Sequence, residues 1–271
     1  MTKPVLAAQL YTVRDFTKTA SDLAESLRKI AKIGYTAVQV SAIGPIPHNE
    51  VKQMVDDLGL TICNTHIGFD QLWGDLGPVI EQHKLWNCRH VALGAMPIAQ
   101  RSGGEDSYKR FAAEANQVGE KLAAAGLTFS YHNHSFEFVR FPYPTADNPN
   151  GTRTGLDIIY GESDARYLQA EIDTYWVQHG GGDPVDWIAR MENRMPVIHL
   201  KDMVIGEGDN PWVGKQLMAE VGEGNLNWPA ILEACQKVNV EWYAVEQDIC
   251  QRDPFESLAI SYRNLQRMGL R

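Results

Sequence analysis

The sequence predicts an α/β protein built as one (β/α)₈ barrel domain over residues 1–271. Three observations predict it. Eight short apolar runs alternate along the chain with about eight helical segments, which implies a parallel sheet. No shift of composition marks a domain boundary, and a single barrel of about 250 residues is an ordinary size. The first apolar run leads into QLYTVRD (residues 9–15) where an open dinucleotide-binding sheet would carry a GxGxxG turn.

The elements follow in order. Residues 5–10 (VLAAQL) form the first strand. Residues 19–33 are helical, with Leu23, Leu27, Ile30 and Ala31 on one stripe and Gly34 as the stop. A second strand spans 35–40, a second helix 49–58 with Gly59 closing it, and a third strand 60–65 running up to His66. A helix over 78–85 starts with a proline in its first turn, as helices tolerate. The fourth strand is 90–93, and a long amphipathic helix over 107–125 ends at Gly126. The fifth strand, 127–132, continues into Asn133-His134-Ser135-Phe136-Glu137. Residues 143–153, rich in Pro, Asn and Gly, read as a surface loop, and 155–163 as a short helix. A glycine-rich loop at 221–224 precedes a helix over 228–238. The eighth strand is 242–245, and Asp253-Pro254 caps a last helix to Met268.

Residues 168–202 organise the rest. They read as strand six (168–172), a helix begun by Asp183-Pro184, and strand seven (196–200). A βαβ unit makes its strands parallel and brings their C-terminal ends to one face. Asp173 and His199 therefore point into the same space.

Composition limits the partners. Hydrophobic content of 44% is ordinary for a globular protein, and a formal net charge of −9 without a basic run argues against a nucleic-acid groove or an anionic membrane surface. No run of 18 apolar residues is present, and the N-terminus enters a strand-like run with no visible signal peptide. The four cysteines are scattered, as free thiols in a reducing compartment would be, so a cytoplasmic protein is expected.

In such a barrel the active site lies at the C-terminal strand ends. Those ends offer Gln9 and Arg14, His66, His132, His134 and Glu137, Glu171 and Asp173, His199, Lys201 and Asp202, and Glu246 and Asp248. So many ionisable groups on one rim need a counter-charge, and a divalent cation supplies it. Glu137, Asp173, His199 and Glu246 come from four successive strands and can surround one point. Three oxygens and one nitrogen suit Mn²⁺, Mg²⁺, Co²⁺ or Zn²⁺. Each also admits a structural role: Asp173 as a turn cap, His199 as a barrel-interior histidine, Glu137 as a solvated acid. Tyr11, Phe69, Trp176 and Trp212 are candidate apolar walls, and residues 210–224 a candidate lid.

Taken together, QLYTVRD (9–15), IGYTAVQV (33–40), THIGF (65–69), YHNHSFEF (131–138), EIDTYWVQHGGGDP (171–184), HLKDM (199–203), VGEGNLNW (221–228) and VEQD (245–248) resemble the sugar phosphate isomerase/epimerase superfamily, the xylose-isomerase-like TIM barrels. The resemblance implies one divalent metal, often Mn²⁺, and a small sugar or polyol substrate. Members similar to ketose epimerases use a Glu–Asp–His–Glu ligand set, carried over here to Glu137, Asp173, His199 and Glu246, with the two glutamates as acid/base pair. YHNHSFEF departs from the ketose epimerases at strand five, and His132 or His134 is the substitute for Glu137. The same histidine-rich segment is similar to the inosose dehydratase and 3-keto-glycoside branches, where the reaction can be elimination. Lys201, His66 and Arg14 are expected to stabilise an enediolate, with His132, His134 and Trp176 beside the substrate. Barrels of this kind often form homo-oligomers. Endonuclease IV-like repair on the same fold needs more metal ligands and a basic groove, and a non-catalytic sugar-binding barrel would not need the quartet.

Overall fold

The computed structural model describes residues 4–210 and 212–270. Its eight barrel strands are Val5–Gln9, Ala37–Val40, Thr61–Thr65, His90–Leu93, Thr128–His132, Gln169–Glu171, Val197–Leu200 and Trp242–Val245. All neighbouring pairs are parallel. Two isolated parallel bridges, His66 to Ala92 and Asp173 to His199, join the two sheets and close the barrel. The second bridge sets two of the site residues side by side across the closure.

Local chemistry fixes the helices. Thr19 caps Ala20–Ile33 by accepting from Asp22 N, and Gly34 ends it at φ 122°, where a side chain would be strained. Asp183 and Asp253 cap the helices Pro184–Arg190 and Pro254–Arg267, as the Asp-Pro pairs predict. Leu23, Leu27 and Ile30 are fully buried, so the predicted stripe is the face laid on the barrel.

Alternation along the strands builds the barrel interior in layers. Ala7, Ala37, Cys63, Val197 and Ala244 pack into a small apolar floor. Two residues on, the same strand faces carry Gln9, Gln39, His199 and Glu246. Small side chains thus form the floor on which a polar layer stands. Burying polar groups without partners is costly, and this layer is tied together by hydrogen bonds.

Several segments differ from expectation. The first strand stops at Gln9, because residues Leu10–Phe16 wind into a 3₁₀ helix that Gln9 caps, its Oε1 accepting from Tyr11 N. The expected loop at 143–153 is flanked by a small antiparallel pairing of Arg140–Pro142 with Thr152–Thr154. Short helices at Phe69–Leu72 and Thr174–His179 were not expected. The expected lid region instead contributes to a two-stranded arm, Asp202–Asn210 paired with Val213–Ala219. Glycines at 206, 208 and 214 dilute the apolar alternation that would have announced it.

Candidate metal centre and pocket

The site grows from strands five to eight. Strand five ends at His132, whose Nδ1 faces the Gly94 carbonyl at 2.9 Å. A carbonyl only accepts, so Nδ1 carries the hydrogen and Nε2 is turned inward. Nε2 lies 3.2 Å from Asp173 Oδ2. Asp173 has two roles: Oδ1 accepts from Trp176 N and caps the helix Thr174–His179, while Oδ2 faces the site. His199 Nδ1 meets Glu246 Oε2 at 2.8 Å. One ligand atom from each of His132, Asp173, His199 and Glu246 lies within 4.8 Å of the other three.

Glu137 does not join them. The chain leaves the strand direction after His132, and residues Phe136–Phe138 form a 3₁₀ turn. There Glu137 is fully buried, accepting from the Tyr131 hydroxyl at 2.5 Å and from His134 N at 2.9 Å. Burial pushes its carboxyl up to about 7, against those donors. Glu137, expected as the strand-five member of the quartet, thus stands apart from the cluster, and His132 takes that place in it.

Around the quartet lies a supporting network. Glu171 accepts from Gln39 Nε2 at 2.9 Å and Asn64 Nδ2 at 2.6 Å, and meets His66 Nε2 at 2.8 Å. Its Oε1 is also 3.1 Å from His199 Nε2, and His66, Glu171 and His199 form a second close group. Burial alone would raise the Glu171 carboxyl, but the His199 and His66 rings hold it well below the usual range. Burial would lower His199, and Glu171 and Glu246 outweigh that and raise it to about 10. Glu246 is likewise held low, Lys201 and His199 overcoming its burial. Lys201 is 1% exposed, with Nζ 2.9 Å from both Asp173 Oδ2 and Glu246 Oε2 and 3.0 Å from Asp248 Oδ1.

This donor set fits a divalent cation. Two imidazoles and two carboxylates converge on one point. Asp173, Glu246 and Asp248 share the single ammonium of Lys201, and Glu171 is buried against His199 beside them, so negative charge exceeds permanent positive charge. Nitrogen and oxygen without thiolate suit Mn²⁺, Co²⁺, Zn²⁺ or Mg²⁺.

Above the cluster opens a pocket of about 650 Å³. His66, His132, His134, Trp176, Lys201, Glu246 and Asp248 line it, with Tyr11 and Phe69 among the walls. His134 and Trp176 lie 5.1 Å apart by ring centroid. Burial drives His134 down to about 3, so its ring is neutral. Arg14 is set aside from this pocket. It donates to the Tyr11 and Asp248 carbonyls and lines a neighbouring cavity of about 280 Å³ that shares Asp248. Trp212 is no wall either: it is 91% exposed at the tip of the arm. Asp202 turns away to bind the glycine-rich loop, accepting from Gly222 N, Gly224 N, Leu226 N and Trp228 Nε1. The sequence reading missed Gln39 and Asn64, which hold Glu171. Their signal was a polar residue inside an apolar strand run, AVQV and TICNT, where a buried amide demands a partner.

A family model described as a xylose isomerase-like TIM barrel matches residues 27–254. No curated protein matches the chain at a significant level. Among solved structures, a sugar phosphate isomerase/epimerase from Parabacteroides distasonis is similar over 100% of this chain and 96% of its own, at 24% identity and TM-score 0.77. An L-ribulose 3-epimerase is similar over 100% and 95%, at 16% identity and TM-score 0.68. A probable 3-DHS dehydratase from Bacillus anthracis is similar over 98% and 99%, at 13% identity and TM-score 0.70. At these identities the likeness shows the fold.

Proposed function

We propose that this chain, which belongs to the xylose isomerase-like TIM barrel family, is a divalent-metal-dependent isomerase or epimerase that removes the proton next to a carbonyl of a sugar or polyol. The observation that carries this reading is the buried His132, Asp173, His199 and Glu246 cluster at the floor of the pocket. Those four would hold the cation, Mn²⁺ being our first choice. When bound, it supplies Lewis-acid polarisation of the carbonyl.

The residues of the chain do the rest. Glu246 is ionised at neutral pH and lines the pocket, so it is the group that takes the α-proton. His66, neutral because it is buried and fixed at Nε2 by Glu171, is the second proton-handling group, acting at Nδ1. Lys201 puts a positive charge beside the developing oxyanion. Tyr11, Phe69 and Trp176 orient the sugar ring and exclude water. Four free cysteines are in keeping with the cytoplasm as the place of work.

One observation favours a second reading. With Glu137 withdrawn, Glu246 is the one glutamate lining the pocket among the described residues. Epimerisation by a pair of glutamates on opposite faces loses one member. Elimination can run on one carboxylate: Glu246 takes the α-proton and, once protonated, hands it on to the leaving group. A lyase or dehydratase acting on a keto-sugar, keto-inositol or 3-keto-glycoside is therefore the alternative.

Solvent-deuterium exchange, followed by NMR on the Mn²⁺-loaded protein with a panel of keto-sugars, tests both. Exchange at the α-carbon with a new isomer supports the first reading. Exchange with loss of water or an alcohol supports the second. Glu246→Gln should slow exchange by about 100-fold or more. Absence of exchange with every carbonyl substrate would sink the mechanism.

A further inference from the structure

Lys201 occupies an unusual place. Its Nζ is shared between Asp173 Oδ2 and Glu246 Oε2, each at 2.9 Å, and both residues belong to the quartet. It also reaches both oxygens of Asp248, at 3.0 and 3.2 Å, and Asp248 is not part of the quartet. An ammonium and a divalent cation cannot both sit on the same two oxygens without strong mutual repulsion. The backbone of Lys201 is fixed, its N donating to Thr174 Oγ1 at 3.0 Å, while four methylenes leave the head group free to swing. Asp248 stands at the pocket edge with its side chain 20% exposed, offering a resting place on the outer side.

We propose that Lys201 is an exchangeable counter-cation: its ammonium holds Asp173 and Glu246 together when no metal is bound, and withdraws to Asp248 when a divalent cation enters. The idea builds on the reading of the quartet as a metal site. It makes Lys201 a positioning residue that keeps the ligands gathered and tempers metal affinity. Asp248 is then the partner that lets the ammonium leave. The two side chains act as one unit, so their effects on metal binding are coupled.

The test is calorimetric titration of Mn²⁺ into the apo protein, with thermal melts in chelator and in Mn²⁺, for wild type, Lys201→Met, Asp248→Asn and the double variant. Lys201→Met should bind Mn²⁺ about tenfold tighter or more, because a competing charge is gone. It should melt lower than wild type in chelator and recover in Mn²⁺, since two buried carboxylates lose their counter-ion only in the apo state. Asp248→Asn should bind about tenfold more weakly, and that loss should vanish in the Lys201→Met background. A Lys201→Met protein that folds only with Mn²⁺ gives the same answer. If it folds under neither condition, Asp248→Asn decides: weaker binding supports the proposal, and unchanged or tighter binding overturns it. Wild type that binds Mn²⁺ alongside a folded Lys201→Met that binds no tighter overturns the counter-cation role alone. Wild type that binds no divalent cation removes the metal reading and this proposal together.

Discussion

His132 Nε2 lies 3.2 Å from Asp173 Oδ2, and this contact completes the cluster on the side of strand five. Two lone pairs at that distance repel unless a proton or a cation stands between them. The Gly94 carbonyl already takes the hydrogen on Nδ1, so His132 is oriented for coordination through Nε2. A metal ligand held by a backbone carbonyl is fixed in tautomer and direction.

The first prediction separates the two strand-five candidates. His132→Ala should reduce affinity for Mn²⁺ by about 100-fold or more, since a direct ligand outweighs the 10–100-fold typical of an outer partner. Glu137→Gln should leave metal stoichiometry intact, because Glu137 bonds to Tyr131 and His134 N and not to the cluster. Elemental analysis of both variants checks this. Loss of metal from Glu137→Gln with retention in His132→Ala would restore the ligand set expected from ketose epimerases.

The Glu171 carboxylate meets no side chain of the quartet except His199, yet it holds that ring and His66 at once. Glu171→Gln keeps the shape and removes the charge. Metal affinity should fall about 10–100-fold with the barrel still folded. A titration beside a circular dichroism spectrum reads both quantities, and an unchanged affinity would reduce Glu171 to a barrel-filling acid.

The residues legible in the sequence were those fixed by strand periodicity. Asp173, His199 and Glu246 end strands or follow them directly, so a βα count places them at one rim. Glu137 lies five residues past its strand, where a 3₁₀ turn, not the strand, sets its direction. Periodicity carries no information across such a break. The arm at 202–219 was hidden for a related reason: its glycines remove the side chains that would show a period of two. Asp202 was read as a rim group because its sequence neighbours are, while its partners lie some twenty residues away in the loop.

That loop gives a stability prediction. A Cβ on Gly224 would fall 2.3 Å from Asp202 Oδ1 and 2.5 Å from the Met203 carbonyl oxygen. The Met203 backbone and an Asp202 carboxylate held by several N–H donors cannot yield cheaply. Gly224→Ala should therefore cost about 2–4 kcal/mol, at the high end for a single substitution. Urea denaturation measures it, and a cost below about 0.5 kcal/mol, the size of an ordinary surface change, would show that the loop relaxes freely.

Trp212 offers the opposite expectation. At 91% exposure it makes little packing, and Trp212→Ala should change stability by no more than about 0.5 kcal/mol. If the arm also stays clear of the substrate, KM and kcat are both unchanged. A raised KM in Trp212→Ala, with stability intact, would show that the arm folds over the pocket during turnover.

His90 supplies the pH dependence, at the opposite end of the barrel from the site. It begins strand four, is 6% exposed, and its Nδ1 lies 2.6 Å from Thr128 Oγ1. Burial first, and then the charge of Arg89, lower it from 6.5 to about 4. The folded state therefore binds fewer protons than the unfolded chain between these values. Its contribution is complete above pH 6.5 and is lost as pH falls through about 4, amounting to roughly 3 kcal/mol at most. His90→Asn keeps a polar partner for Thr128 and removes the titration. Urea denaturation at pH 7 and pH 4.5 should show wild type losing more stability than the variant, by about 2 kcal/mol. Equal losses in both would mean that the His90 ring takes up its proton within the fold.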